Sequence, residues 1–382
     1  MRIYIILASI FILAFISCNR SKSKIKPNDN TPKILNLSHE KVFYLDSKTT
    51  AMAKSISYIE EDSMLAVFTR SSNQISFFDY NSGKIVKTAI LRTLSPYEIY
   101  IQNKDTIVVF TINNRTLYLL NGKLEIQKKF SFALKDDLKT FTVNPGFSQT
   151  SPIIFNNEEM FLSCWGLGEY PDVVKTREDR PIIVEFNTTK RTRNYYSGYP
   201  IKYIRNNMGS FNNWILKHTY NPYRKEIVVA FTATNDIIIF NIDTKSERSI
   251  NINSKYFDTI PLPHPGKDRY YSSQNESYYH YVQQPCYGNI LYDKYRHIYY
   301  RFVLHGVEKP DLSKGVKMFF DKKMSIIVTD EDFNIIGETQ PYSGYYAQQS
   351  FVTHCGLHVL KFNNDENKAT YSVFTFNEAF DK

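Results

Sequence analysis

Behind an apolar run at its start, the chain alternates short apolar stretches with polar turns in a recurring order. Each unit has a strand, a turn, a second apolar strand, an Asn/Asp-rich turn and a polar outgoing strand. The clearest copy covers residues 64–68 and 74–79, the turn Asn81-Ser82-Gly83-Lys84, and residues 85–88. Period-two alternation bounded by turn residues marks strands, because successive strand side chains point to opposite faces. A second copy covers residues 106–110 and 116–120, the turn Asn121-Gly122, and residues 124–130. Asn-Gly between strands predicts a two-residue hairpin with positive φ at both central positions. Looser copies pair residues 160–163 with 181–186, 226–231 with 236–240, 297–302 with 325–329, and 356–360 with 371–376. Helical spacing is scarce after the leading run.

These are six units, with long insertions in the third and fifth. A small sheet repeated radially is a β-propeller blade, so the expected fold is all-β, a propeller of six blades with seven as the alternative count. The early strand at residues 41–45 would join the last unit and close the ring, which protects both open edges. A sandwich would not need this many strands, and a β-helix repeats at much shorter periods. The propeller domain is expected over residues 33–382.

Composition supports strands: 29 Tyr and 27 Phe stand beside frequent Val, Ile and Thr, side chains that suit a pleated, half-buried surface. Gly (14) and Pro (15) are too few for a collagen-like or low-complexity chain. The formal charge is +9, and loss of Arg2 would leave +8. The sequence carries no nucleic-acid-binding signature, so nucleic acid is not an expected partner. Anionic lipids, acidic polysaccharides or solubility account for such a charge outside the cytoplasm. Besides Cys18 the cysteines are Cys164, Cys286 and Cys355. None falls in a CxxC or zinc spacing, and three buried thiols or one disulfide with an odd thiol are both open.

The N-terminus has the parts of a secretory signal. Arg2 supplies positive charge, residues 3–16 are apolar except for Ser9, and Ser17 precedes Cys18. The run falls short of the ~20 residues a helix needs to cross a bilayer, so a cleaved signal over residues 1–17 is expected. Ala14-Phe15-Ile16-Ser17-Cys18 resembles the lipobox of bacterial lipoproteins, with Phe15 where Leu is usual. That resemblance implies cleavage before Cys18, a diacylglycerol thioether on its sulfur, and acylation of its amine, for instance by palmitate. More than one chain is needed for an anchor, since each buried CH₂ contributes only ~0.8 kcal/mol. Residues 18–32, rich in Lys, Asn and Pro, read as a flexible tether. In bacteroidete lipoproteins surface export is associated with acidic residues after the cysteine. A basic tether therefore points to the periplasmic face of the outer membrane.

The stretch from Tyr287-Gly288 to Tyr299-Tyr300-Arg301, with the signal and the length, resembles an uncharacterised family of bacteroidete lipoproteins related to six-bladed propellers. The resemblance implies a propeller and a lipid anchor and supplies no catalytic residues.

Candidate ligand contacts concentrate in the insertions at residues 164–180 and 261–287 and just beyond. They are Trp165, Tyr170, His264, Arg269, Tyr271, Tyr279, His280, Tyr287, Arg296 and Arg301. Tyrosine faces stack on sugar rings while the hydroxyl bonds, and arginine clamps carboxylates bidentately. The competing reading has the tyrosines filling strand faces and gaps between blades, with Asp293 fixing a turn or pairing with an arginine. His354 and His358 have metal-ligand spacing only on a helix, and their surroundings read as two strands about a glycine turn. No metal or cofactor is therefore expected. His354 and Cys355 would point to opposite faces and not cooperate as base and nucleophile. Hydrolase, metalloprotease and nucleotide-binding motifs are absent. The expectation is a monomeric, membrane-tethered, non-enzymatic propeller that binds an envelope protein, peptide or glycan. The alternative is a polysaccharide hydrolase or lyase working at the propeller axis.

Overall fold

Six antiparallel sheets make up the described chain, five of them formed from strands adjacent in sequence and the sixth joining the two ends. The computed structural model describes residues 35–132, 142–167, 180–206, 208, 211–258, 260, 274–308 and 321–376. Blade one comprises Ser55–Ile59, Met64–Thr69, Gln74–Asp79 and Ile85–Ile90. Blade two comprises Glu98–Asn103, Thr106–Thr111, Thr116–Leu120 and Ile126–Ser131. In blade three the inner position is shared by Thr142–Gly146 and Ile154–Asn156, both paired with Glu159–Leu167, and Ile183–Asn187 and Arg193–Tyr196 follow. Blade four runs through Leu216–Asn221, Glu226–Phe231, Asp236–Asn241 and Glu247–Asn251. Blade five runs through Cys286–Asp293, Ile298–Leu304, Met324–Asp330 and Ile335–Glu338. The last blade takes Tyr345–Thr353, Gly356–Lys361 and Lys368–Phe376 from the C-terminal end and Leu35–Tyr44 from the N-terminal end. This is the expected six-bladed propeller with its ring closed by the early strand.

Apolar layers between neighbouring blades hold the ring together. Phe68 and Phe77 of blade one pack with Ile99 and Val109 of blade two, and Phe110 and Leu117 pack with Met160 and Leu162 of blade three. A larger cluster joins blades three, four and five through Phe161, Val229, Phe240 and Ile290. Further layers join blade five to six and six to one. Each such side chain contributes roughly 1.5–3 kcal/mol on burial, so the gaps between blades hold most of the core.

Three details depart from the sequence reading. The closing strand begins at Leu35 rather than 41, because its outer position leaves it largely exposed and without an apolar signature. Asn121-Gly122 is not a two-residue turn. The positive φ falls on Leu124 (64°), while the Asn121 side chain accepts from the amides of Lys123 and Glu125, both at 3.0 Å. Gly122 is required for close approach instead, since a Cβ there would lie 2.6 Å from the Lys104 carbonyl oxygen. Finally, Gln274–Gln283 is a helix. Its Tyr281 and Val282 are buried in the layer between blades five and six, so packing rather than sequence periodicity selects the helix.

Candidate functional site

The inner strands of the blades run in the same direction, so their starts meet at one end of the axis and their ends at the other. At the starting end lies a cavity of about 700 Å³, a size ordinary for small-molecule sites. Lys54 stands just before the inner strand of blade one, Glu98 opens that of blade two, and Lys217 is the second residue of that of blade four. Ser163 and Arg180, on either side of the insertion in blade three, also line it, as do Gln348 and Gln349 of blade six.

Aromatic groups fix these charges. Lys54 Nζ and Arg70 lie 5.5 and 6.0 Å from the Tyr97 ring centre, within reach of its negative face. Arg180 is only 8% exposed and stacks 4.8 Å above the Trp214 ring. Trp214 is itself held from behind. Tyr199 donates to its carbonyl at 3.0 Å, Tyr203 donates to the Asn213 carbonyl at 2.8 Å, and both rings lie edge-on to the indole. The segment carrying them, with its short helix Ile201–Arg205, is what the connection between blades three and four adds to the axis.

Electrostatically the cavity is unbalanced. Lys54, Arg70, Arg180 and Lys217 face a single carboxylate among the described lining residues, Glu98. Lys54 donates to Glu98 Oε1 at 3.0 Å. Burial raises the Glu98 carboxyl above its ordinary range, against the pull of Lys54, Lys217 and Arg70. Burial likewise lowers the Lys217 ammonium, with Glu98 opposing and Lys54 reinforcing the shift. Among the described residues Lys217 has no hydrogen-bond acceptor. Next to it, His218 is buried and its Nε2 donates to the Pro152 carbonyl at 2.7 Å, which pins the interrupted inner strand of blade three against blade four.

The opposite end of the axis has a smaller cavity of about 420 Å³, ringed by Tyr58, Tyr100, Tyr220, Tyr292 and Tyr295. Its charges are matched. Lys294 pairs with Glu60, and burial of that carboxyl is outweighed by hydrogen bonds from Lys294 and Tyr295 that hold it below its usual range. Tyr292 donates to Glu331 at 2.5 Å, and Asn221 donates to the same oxygen at 3.1 Å.

The residues expected to contact a ligand are dispersed. Tyr287 and Arg301 are each 1% exposed, sealed between blades four and five. The Arg301 guanidinium lies 3.6 Å from the Tyr287 ring centre and donates to the carbonyls of Thr234, Asn235 and Ile252, each at 2.9 Å. Both are engaged within the protein and line neither of the two cavities. Arg296 bonds Asp293 at 2.9 Å and the His354 carbonyl at 2.8 Å, tying blade five to six. Asp293 also caps the amides of Tyr295 and Arg296 and accepts from Tyr300, so it acts in a turn, as the competing reading had it. Tyr279 and His280 lie on the helix Gln274–Gln283, away from both cavities. Trp165 lies in the strand Glu159–Leu167 opposite Asn144. Cys18, Tyr170, His264, Arg269 and Tyr271 lie outside the described residues. His354 and Cys355 occupy the turn before Gly356, and His358 is locked against the Tyr80 hydroxyl at 2.7 Å. No disulfide joins Cys164, Cys286 and Cys355.

The sequence reading missed Lys54, Arg70, Glu98, Arg180, Trp214 and Lys217. A usable signal existed: Glu98 and Lys217 stand first and second in short alternating stretches, EIYIQN and LKHTYN, directly before a recognised hairpin.

Ring, closure and axial cavity together define a six-bladed β-propeller with a cation-lined mouth. The chain belongs to the family described as Domain of unknown function (DUF4221), which matches residues 33–340. It is similar to the crystal structure of a DUF4221 family member from Bacteroides vulgatus, with 22% identity and a TM-score of 0.77 over 91% of this chain and 99% of that one. A Bacteroides fragilis protein is more distant, with 10% identity and a TM-score of 0.51 over 92% of this chain and 98% of that one. At these identities the likeness speaks for the fold. No curated protein matches the chain.

Proposed function

We propose that this protein is a membrane-tethered, non-catalytic propeller that binds the acidic end of a peptide or glycan in the cell envelope. The observation that carries the reading is the unbalanced charge of the larger cavity: four cations facing one carboxylate. A surplus of positive charge in a cavity costs stability unless something compensates it, and an anionic ligand would do so. Arg180 over Trp214 is suited to a carboxylate or sulfate, and Tyr97 offers a face for an attached ring. Glu98 has no second carboxylate beside it among the described lining residues, so the paired-acid arrangement of glycoside hydrolysis finds no support there.

The tether rests on the lipobox-like residues ending at Cys18 and on the basic stretch after it, which favours the periplasmic face of the outer membrane. Calorimetry of the purified chain against uronate-bearing, sulfated and neutral oligosaccharides and acidic peptides tests the binding. An acidic ligand should bind, with affinity falling as salt rises. Equal binding of neutral and acidic ligands would overturn the reading. Growth with a labelled fatty acid should mark the protein, and Cys18→Ala should remove the label.

A further inference from the structure

We propose that Lys217 captures its ligand covalently and reversibly, forming an imine with a carbonyl group of an oxo acid whose carboxylate is held by Arg180. This rests on the anionic-ligand reading and narrows it to acids that carry an aldehyde or ketone, such as a 2-oxo acid or the open-chain end of an acidic sugar.

The argument is one of placement. Of the cavity's cations, Lys54 is engaged by Glu98, Arg180 is stacked on Trp214, and Arg70 sits exposed at the rim beside Tyr97. Lys217 lines the same space from the inner strand of blade four and donates no hydrogen bond to any described residue. An amine acts as a nucleophile only when unprotonated, and a lysine becomes one when desolvated or placed beside a second cation. Both conditions hold here. Burial and Lys54 lower its pKa, with Glu98 opposing.

Glu98 completes the chemistry. The neutral Lys217 amine adds to the carbonyl carbon, and the carbonyl oxygen takes up a proton to give a carbinolamine. A second proton, the one that Lys217 gave up to solvent on becoming neutral, lets that hydroxyl leave as water. One hydrogen of the water comes from the amine and one from solvent. The nitrogen keeps its remaining hydrogen in the iminium, whose charge the Glu98 carboxylate then balances. No oxidant or reductant enters, and hydrolysis returns both partners.

The test uses the detergent-solubilised full chain with pyruvate as the probe and cyanoborohydride to fix any imine. Peptide mapping should place one carboxyethyl group on Lys217, at least tenfold above any other lysine. Propionate, with the charge and no carbonyl, should slow the labelling. Lys217→Arg keeps the positive charge and should lose the adduct, and the native protein's own labelling map decides the matter if that variant does not fold. Labelling spread over surface lysines, or none, while propionate or phosphate still binds by calorimetry, would overturn the imine and leave the anion site standing. Absence of anion binding as well would sink both.

Discussion

The two ends of the axis are built from the same inner strands, yet their charges are handled in opposite ways. At the tyrosine-ringed end, Lys294 meets Glu60, Arg296 meets Asp293, and Glu331 collects bonds from Tyr292 and Asn221. At the other, Lys217 has no acceptor among the described residues, and the cavity's four cations share one carboxylate. A charge that the fold answers from within belongs to the architecture. A charge that it leaves unanswered in a cavity points outward, to something the chain does not contain.

Arg301 offers the hardest test of that distinction. It is only 1% exposed, and burial brings its pKa down to about 10, so it stays charged at neutral pH. Arg301→Met should strand three carbonyls between blades four and five and cost about 3–5 kcal/mol in urea denaturation. A loss below 1 kcal/mol would mean that internal matching says little about structural role.

Acid should act next. Burial lowers His218 to about 4 and His358 to about 3. Between those values and 6.5 the unfolded chain binds protons that the folded one refuses. Stability is therefore intact above pH 6.5 and falls as pH drops toward 4, by about 3 kcal/mol for His218 alone. His218→Gln, which can still donate to Pro152, should flatten that part of a melting-temperature profile.

Binding separates the two ends directly. Arg180→Ala should weaken an acidic ligand ten- to a hundredfold, the worth of one charge-assisted contact of about 1.5–3 kcal/mol. Lys294→Ala should not move that affinity, as calorimetry at low and high salt would show. The smallest effect belongs to the Lys294–Glu60 pair itself. Its members are 46% and 45% exposed, so Glu60→Gln should change thermal stability by less than about 1 kcal/mol.

The sequence made the middle of each blade legible and its inner edge nearly invisible. Apolar stretches such as TIVVFT and EIVVAF are buried on both faces and stand out as strands. The inner strands face the axis, where Ser55, Glu98 and Lys217 replace apolar residues. The polarity that makes those positions interesting also hides them from a reading based on hydrophobic periodicity. Arginines misled for a related reason. Arg301 and Arg180 look alike in sequence, and only the neighbours brought by distant blades separate a strut between blades from a residue that lines the axial cavity.

The seam of the ring has a consequence for synthesis. Residues 35–44 pair with residues 368–376, so the strand made among the earliest waits without a partner until almost the whole chain has emerged. Blades one to five can assemble in order, each from contiguous sequence, while the circle stays open. Closure is then a single late event, and any passage of the chain through a narrow pore is compatible with the fold only if it finishes before the two ends meet.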